Sequence, residues 1–430
     1  MKPLLIGLAA ALAVSAGTAS AAGPATPLPD LDTAHTVLAE TPAVQAALAA
    51  RDAAKARGEA LNVGPYEFEV NAAGQRRDVR NEGDANGNFN EWEAGVSRRV
   101  RLPGKAALDR ELGALGNEVA GLGIADAFHG AALELLDGWF GWLEAAGAAT
   151  AAEDARKRLA DERAAVQKRV DRGDAARLDL DLADSALAGA EATLAQARSD
   201  AAERSALLAA RYPHLPLPAA PPAVPDPQLP DRDAAALAAQ IVARSHEIGI
   251  AEGRYQQAIK RAERGQRDRL PDPAIGIRTL SERDGDEKAV ALTLNVPIGG
   301  SYRAAEARAL AADAGAAGAQ LDAVRRQIGA NAQAVTTRMR GSHASWQAAR
   351  RAADAATAHA ERARRGYELG ETDLFTLLAA QRTAQESVRA ELAARIAAHA
   401  AIDRVLVDAH ELWAYHHDDH ETGDAHVAAP

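Results

Sequence analysis

The chain of 430 residues contains no cysteine. That excludes a disulfide framework, thiolate metal centres and an acylated N-terminal cysteine, so lipidation is not expected and any membrane attachment must come from the fold. Beyond the first two dozen residues there is no uninterrupted apolar run of the length a transmembrane helix needs, so none is expected; only closed strands could then cross a bilayer. A basic excess is missing as well. The net charge is -11 and aromatics make up 4%, which argues against a nucleic-acid partner, because that binding rests on clustered Lys and Arg. Catalytic signatures are absent: no G-x-S-x-G, no H-E-x-x-H and no phosphate-cradling glycine loop, Gly121 and Gly123 lying inside a helical pattern. No enzyme and no catalytic residue is expected.

What is present begins with an export signal. Met1-Lys2-Pro3 precedes an apolar run over 4–14 and small residues ending Ala19-Ser20-Ala21-Ala22. A basic start, a short apolar core and an A-x-A site predict a cleaved signal peptide over 1–22.

Self-comparison finds a duplication. Val96-Ser97-Arg98-Arg99-Val100-Arg101-Leu102-Pro103-Gly104 parallels Leu292-Thr293-Leu294-Asn295-Val296-Pro297-Ile298-Gly299-Gly300, an offset of 196 residues from Gly104 to Gly300. Arg172-Gly173-Asp174 parallels Leu369-Gly370-Glu371, with Leu178 and Leu180 matching Phe375 and Leu377, at an offset of 197. Two matches at nearly one offset imply tandem repeats. The expected organisation is repeat 1 over 23–212, a proline-rich linker over 213–230, repeat 2 over 231–412 and a His/Asp-rich tail over 413–430. In the linker, Pro213, Pro216, Pro218, Pro221, Pro222, Pro225, Pro227 and Pro230 remove backbone donors and favour extended chain.

Each repeat opens with a modest helix, expected over 31–60 and 233–267. Strands follow at about 65–72, 91–101, 273–280 and 288–297. Tyr66, Phe68 and Val70 alternate with Glu67, Glu69 and Asn71, and Val290, Leu292, Leu294 and Val296 alternate with Ala291, Thr293 and Asn295, the period of two that marks a half-buried strand. Residues 74–90, rich in Gly, Asn, Asp and Arg, read as a solvated hairpin loop. Proline-free stretches over 105–212 and 301–412, dominated by Ala, Leu, Arg, Glu and Gln, predict long helical hairpins turning near Gly173 and Gly370. Leu180, Leu187 and Leu194 recur every seven residues, as do Ala183, Ala190 and Ala197, a coiled-coil seam in which alanine permits close approach. The fold class is mainly α with a small β part. A soluble periplasmic coiled-coil scaffold or metal buffer explains the helices equally well; it does not explain the strands.

Four strands are too few for a membrane barrel, whose smallest examples need about eight, so chains must pool them. Two chains supply eight and three supply twelve; the count alone does not choose. With Tyr66, Phe68 and Val70 toward lipid, Glu67, Glu69 and Asn71 line a polar lumen.

At this point the chain resembles the TolC-like outer-membrane efflux family, over nearly all of the mature sequence. The resemblance rests on the strand end Val296-Pro297-Ile298-Gly299-Gly300, the turn Arg365-Gly366-Tyr367-Glu368-Leu369-Gly370-Glu371 leading to Leu374, Leu377 and Leu378, and a weaker first copy from Gly173 to Leu182. It implies a homotrimer forming a twelve-stranded membrane β-barrel continued by a periplasmic α-helical barrel. It implies a passive conduit in outer-membrane lipid, partnered by a periplasmic membrane-fusion adaptor and an inner-membrane RND pump. By resemblance, the helix turns form the tip or gate, comprising Gly173, Asp174, Asp179, Asp181, Tyr367, Gly370 and Glu371. Asp179 and Asp181 are expected to form acidic rings, whose equivalents in the second copy are read as Thr376 and Ala379. Tyr367 is equally an ordinary packing residue.

The end of the chain carries His410, then His416, His417, Asp418, Asp419, His420 and Glu421, then Asp424 and His426. Imidazole and carboxylate suit divalent transition metals, so transient metal binding is expected of His416, His417 and His420. This favours the branch resembling CzcC-type and CusC-type heavy-metal exporters, with drug or small-molecule export as the alternative. His129, His246, His343 and His399 read as isolated packing or solvent-facing residues.

Overall fold

A computed structural model describes residues 27–80 and 87–415. The signal segment and the tail histidines His416, His417 and His420 lie outside the described residues. The order is α1 (Leu31–Ala39), α2 (Pro42–Val63), β1 (Phe68–Val79), β2 (Gly87–Arg99), α3 (Lys105–Asp171), α4 (Arg177–Arg211), α5 (Ala234–Arg244), α6 (His246–Asp268), β3 (Ala274–Glu282), β4 (Glu287–Asn295), α7 (Ser301–Glu368) and α8 (Leu374–Asp408). At 1.5 Å per residue, the 67 residues of α3 and 68 of α7 each span roughly 100 Å. Helix α3 packs against α2 and α4 of its own repeat and α6 and α8 of the next, while α7 packs against α5, α6 and α8.

Three sequence expectations require correction. The helix expected over 31–60 is two helices, and so is that over 233–267. Pro42 at N1 has no N–H to continue α1, and Ser245 caps α6 by accepting from Ile248 N. The loop expected over 74–90 is mostly strand, because β1 runs on to Val79 and β2 begins at Gly87. Its polar residues are satisfied across strands: Arg77 pairs with Glu91 at 3.0 Å, and Gln75 donates to Glu91 at 2.7 Å. Finally, α3 does contain a stretch long and apolar enough, by composition, to cross a membrane. Its interrupted apolar run escapes a count of consecutive residues. Phe128, Leu135, Leu136, Trp139 and Leu143 from it are buried in the largest core cluster, with α1, Leu208, Tyr212, Ile396 and Trp413.

The strands form one antiparallel sheet in the order β1-β2-β3-β4, leaving β1 and β4 as edges with no partner strand among the described residues. Tip residues of the two repeats make a second cluster, described below. A third joins Leu237 and Ile241 of α5, Ala332 and Met339 of α7, and Ile402 and Val405 of α8. The linker crosses this helical wall: Arg395 donates to Val224 O at 3.0 Å, His399 to Pro225 O at 2.9 Å, and Arg350 pairs with Asp226.

Asp403 of α8 is buried, with one carboxylate oxygen lacking a partner among the described residues. Burial pushes its carboxyl up to about 7. The folded chain therefore holds a proton that the unfolded chain releases near pH 4, so this group's contribution falls as pH rises from about 4 through 7. Asp403→Asn is expected to stabilise the protein by about 1–2 kcal/mol at pH 8, the relief of the charge offset partly by the amide's unmet hydrogen bonds. Melting in detergent at pH 5 and pH 8 checks this. The gain should be clearly larger at the higher pH.

Candidate functional site

The sheet separates two chemistries. In the paired register, one face carries Phe68, Val70, Trp92, Val96, Ile275, Ile277, Val290, Leu292 and Leu294. All nine are exposed, from 45% for Val96 to 83% for Leu292. The other face carries Glu69, Asn71, Arg77, Glu91, Glu93, Arg278 and Glu282, with Arg278 3.1 Å from Glu93 and Arg77 3.4 Å from Glu282. Glu69 and Asn71 lie on this charged face as strand residues, whereas Glu67 sits just before β1 begins. The ladder Arg77–Glu91–Glu282 escaped the sequence reading because Arg77 fell in the expected loop and Glu282 beyond the expected end of its strand.

Where the sheet meets the helices, a buried ionic network holds the joint. Lys105, the first residue of α3 and 1% exposed, sits 2.8 Å from Asp272 and 3.0 Å from Asp268 and donates to Leu270 O. Asp109 bridges Arg264 at 2.8 Å and Arg101 at 3.3 Å. Tyr66 donates to Asp272 at 2.9 Å. Beside this network opens a cleft of about 1290 Å³, lined by Arg57, Arg99, Arg261 and Arg303 as well as Leu61 and Pro297.

At the far end, the two helix turns are built alike. Gly173 and Gly370 adopt φ of +79° and +75°, the left-handed region that favours glycine at a helix C-terminus. Asp174 N donates to Arg169 O, as Glu371 N does to Gly366 O, both at 2.8 Å; Gly173 N reaches Val170 O and Gly370 N reaches Tyr367 O. The next helix starts are capped by different means. In the first copy Asp179, the third residue of α4, accepts from Ala176 N at 3.2 Å; alanine has no side-chain acceptor, so only half of a reciprocal cap exists. In the second copy Asp373 precedes α8 and accepts from Thr376 N at 2.7 Å, which holds its carboxyl below the usual range.

This corrects two readings. With Gly173 matched to Gly370, Asp181 matches Leu378 rather than Ala379. The second turn has also not lost its acid, which has moved from the third helical position to the cap, to Asp373. Asp174, Gly173, Gly370, Glu371 and Asp181 are exposed, and Asp181 has Arg177 3.6 Å away.

The turns pack on each other within the chain: Val166, Leu180 and Ala183 join Ala363, Leu374 and Leu377, with Tyr367 half-buried among them. The Arg169 guanidinium lies 4.9 Å from the Tyr367 ring centre, a cross-repeat cation–π contact. Burial pushes the Tyr367 hydroxyl up, against the pull of Arg169. Burial also raises Glu162 nearby. Two residues named in the sequence only as repeat markers present apolar surface at the tip: Leu178 and Phe375, the second residues of α4 and α8, are 67% and 66% exposed. Their matched register was the available signal. Among the described residues, no three His, Asp or Glu side chains are grouped to hold a metal ion.

No protein-family model matches the chain, and no curated protein matches it in sequence. Solved structures do match. The outer-membrane channel OprN superposes with a TM-score of 0.75 at 19% identity, over 90% of this chain and 91% of its own. The CmeC outer-membrane channel of Campylobacter jejuni gives 0.72 at 13%, over 91% and 87%. CusC, whose structures show conformational changes accompanying folding and transmembrane channel formation, gives 0.70 at 14%, over 90% and 97%. The chain thus has the fold of these outer-membrane channels, a small antiparallel sheet carried on long helical hairpins.

Proposed function

We propose that the chain is the outer-membrane conduit of a tripartite efflux assembly: a passive duct that hydrolyses and transforms nothing. Three copies pool their sheets into a twelve-stranded barrel, and the helices continue the duct across the periplasm toward an adaptor and an inner-membrane RND pump. One observation carries this reading. A four-stranded sheet, with two edges free among the described residues, exposes nine large apolar side chains on one face and a charged ladder on the other. Unpaired edges and a bare apolar face are stable only when pairing closes the edges and lipid covers the face. Exposed Leu178 and Phe375 suit a protein partner at the tip. Fractionation and native mass spectrometry test it: a detergent-requiring trimer is expected, and a monomer recovered in the soluble periplasm would favour the coiled-coil scaffold.

For cargo, the His/Asp-rich tail favours heavy-metal cations. The test is a deletion strain, and unchanged tolerance to zinc, cobalt, cadmium, copper and nickel would remove that assignment. The cleft at the joint favours the second reading, since its arginines and apolar wall suit an organic anion better than a metal cation.

At the tip, Asp179 and Asp181 repeated in three chains would form negative rings that bind divalent cations. Asp179→Asn with Asp181→Asn keeps an acceptor for the helix cap while removing the charge. In planar bilayers this pair is expected to weaken block by divalent cations several-fold. Conductance and block equal to the parent's would show that these acids do not gate.

A further inference from the structure

His129 and His246, unrelated in the sequence, meet at His410. The ring centres of His129 and His410 lie 5.2 Å apart in a near-parallel stack, and His246 meets His410 edge-on at 4.4 Å. The three come from α3, from the first residue of α6, and from just past the end of α8.

His410 itself is held unusually. It has φ of +55° and closes α8 in the same way that Gly173 and Gly370 close α3 and α7: Glu411 N donates to Leu406 O at 2.8 Å and His410 N to Val407 O at 2.9 Å. Glycine is the ordinary residue for that conformation. Neither ring nitrogen of His410 has a hydrogen-bond partner among the described residues, and both are buried. The backbone beside it is tied down, because Arg244 donates to Ala409 O at 3.2 Å and to His410 O at 3.4 Å. The segment that follows places Trp413 in the largest core cluster, with Leu412 and Tyr415 packed against it.

The surrounding charges are nearly balanced. Helix α3 presents Asp126 and His129, α5 presents Arg244, α6 presents His246, Glu247 and Arg254, and α8 presents Arg404 and Asp408, with Asp403 earlier on the same helix. Asp408 lies 3.3 Å from His129, so one imidazolium has a counter-ion. A second and third charge in rings already in contact would have no carboxylate within ion-pair distance among the described residues, Glu247 acting on them only from farther away. The rings meet face to face and edge to face, and the cluster is not grouped as a set of metal ligands. Stacked imidazoles of this kind are held together only while most of them are neutral.

We propose that His129, His246 and His410 form an acid-sensitive latch, which docks the end of α8 and the 411–415 segment against α3 and α6 and releases them when the surrounding solution is acidified. The latch does not depend on which cargo the duct carries. Burial, then the neighbouring His246 and His129, brings His410 down to about 4, and burial lowers His246 as well. A histidine with a folded value below 6.5 contributes fully above that pH, and its contribution fades as pH falls toward the folded value, by up to about tenfold in the opening equilibrium per pH unit for each proton.

Hydrogen exchange by mass spectrometry on the full detergent-solubilised protein tests the latch, with labelling times scaled for the intrinsic pH dependence of exchange. The Asp403→Asn background is used, because Asp403 titrates in the opposite sense on the same helix. Between pH 7.5 and pH 5, opening of peptides covering 405–415 is expected to rise about tenfold or more, while peptides at the α3 tip stay unchanged. Adding His410→Asn, which tolerates the left-handed conformation and takes no proton, should flatten the response to within about twofold. Parallel profiles with and without His410→Asn would overturn the latch, as would no pH-dependent opening at all. If His410→Asn opens the segment at both pH values, His246→Gln leaves the cap in place and becomes the readout: a reduced response supports the latch, and a full one overturns it.

Discussion

Leu292→Arg is expected to prevent stable insertion, moving most of the protein out of the membrane fraction and abolishing the oligomer that resists mild detergent. Leu292 stands near the middle of β4, opposite Ile277, and is 83% exposed. On the reading proposed above, that exposure is to lipid. An arginine at the bilayer midplane of a barrel costs about 2–4 kcal/mol, and every chain of an oligomer carries it once. The neighbouring Thr293 supplies the control. It occupies the opposite face, opposite Gly276, so Thr293→Arg should be recovered in membranes at nearly the parental level. The measurement is the membrane-bound fraction and the oligomer band for the two variants side by side. Equal insertion of both would mean that the apolar face does not meet lipid.

Lys105→Ala is expected to destabilise the joint between sheet and helices by about 3–5 kcal/mol, the usual cost of removing one partner from a buried ion pair. Asp268 would keep Arg264. Asp272 would keep only the neutral donors Tyr66 and Leu102 N, at 2.9 Å each, and would lose its cation in a buried site. Hydrogen exchange in 268–274 and 100–109 should rise first, since both segments hang on that ammonium. Lys105→Met with Asp272→Asn removes both charges and should recover part of the loss, because the penalty comes from the stranded carboxylate. A melting temperature for Lys105→Ala within a degree of the parent's would show that the network contributes little.

How far the sequence reaches is clearest at particular residues. Gly173 and Gly370 were readable because a helix stop is a local demand: each needs only its own backbone angle and the carbonyls of the preceding turn. Leu292 and its alternating neighbours were readable because strand periodicity is local too. Residues 74–90 were not, since Gly, Asn, Asp and Arg suit a loop until a partner strand supplies their counter-charges. Asp373 was passed over for the same kind of reason. Matching by type found no acid opposite Asp179, whereas matching by role finds a carboxylate capping each helix start. His129, His246 and His410 carry no shared signal along the chain, being brought together only by the packing of α3, α6 and α8.

The sequence by itself determined the duplicated plan, a small sheet carried on long helical hairpins, and its two-faced strands, because periodicity, proline placement and glycine stops act over a few residues at a time. Only the tertiary structure decided which side chains meet: Lys105 with Asp268 and Asp272, Arg169 with Tyr367, three histidines at the end of α8, and a sheet whose edges no other described strand covers. Those contacts join residues between about 160 and 280 positions apart in most cases, and the free energy that selects them comes from desolvation and pairing in the packed state, which no local pattern records.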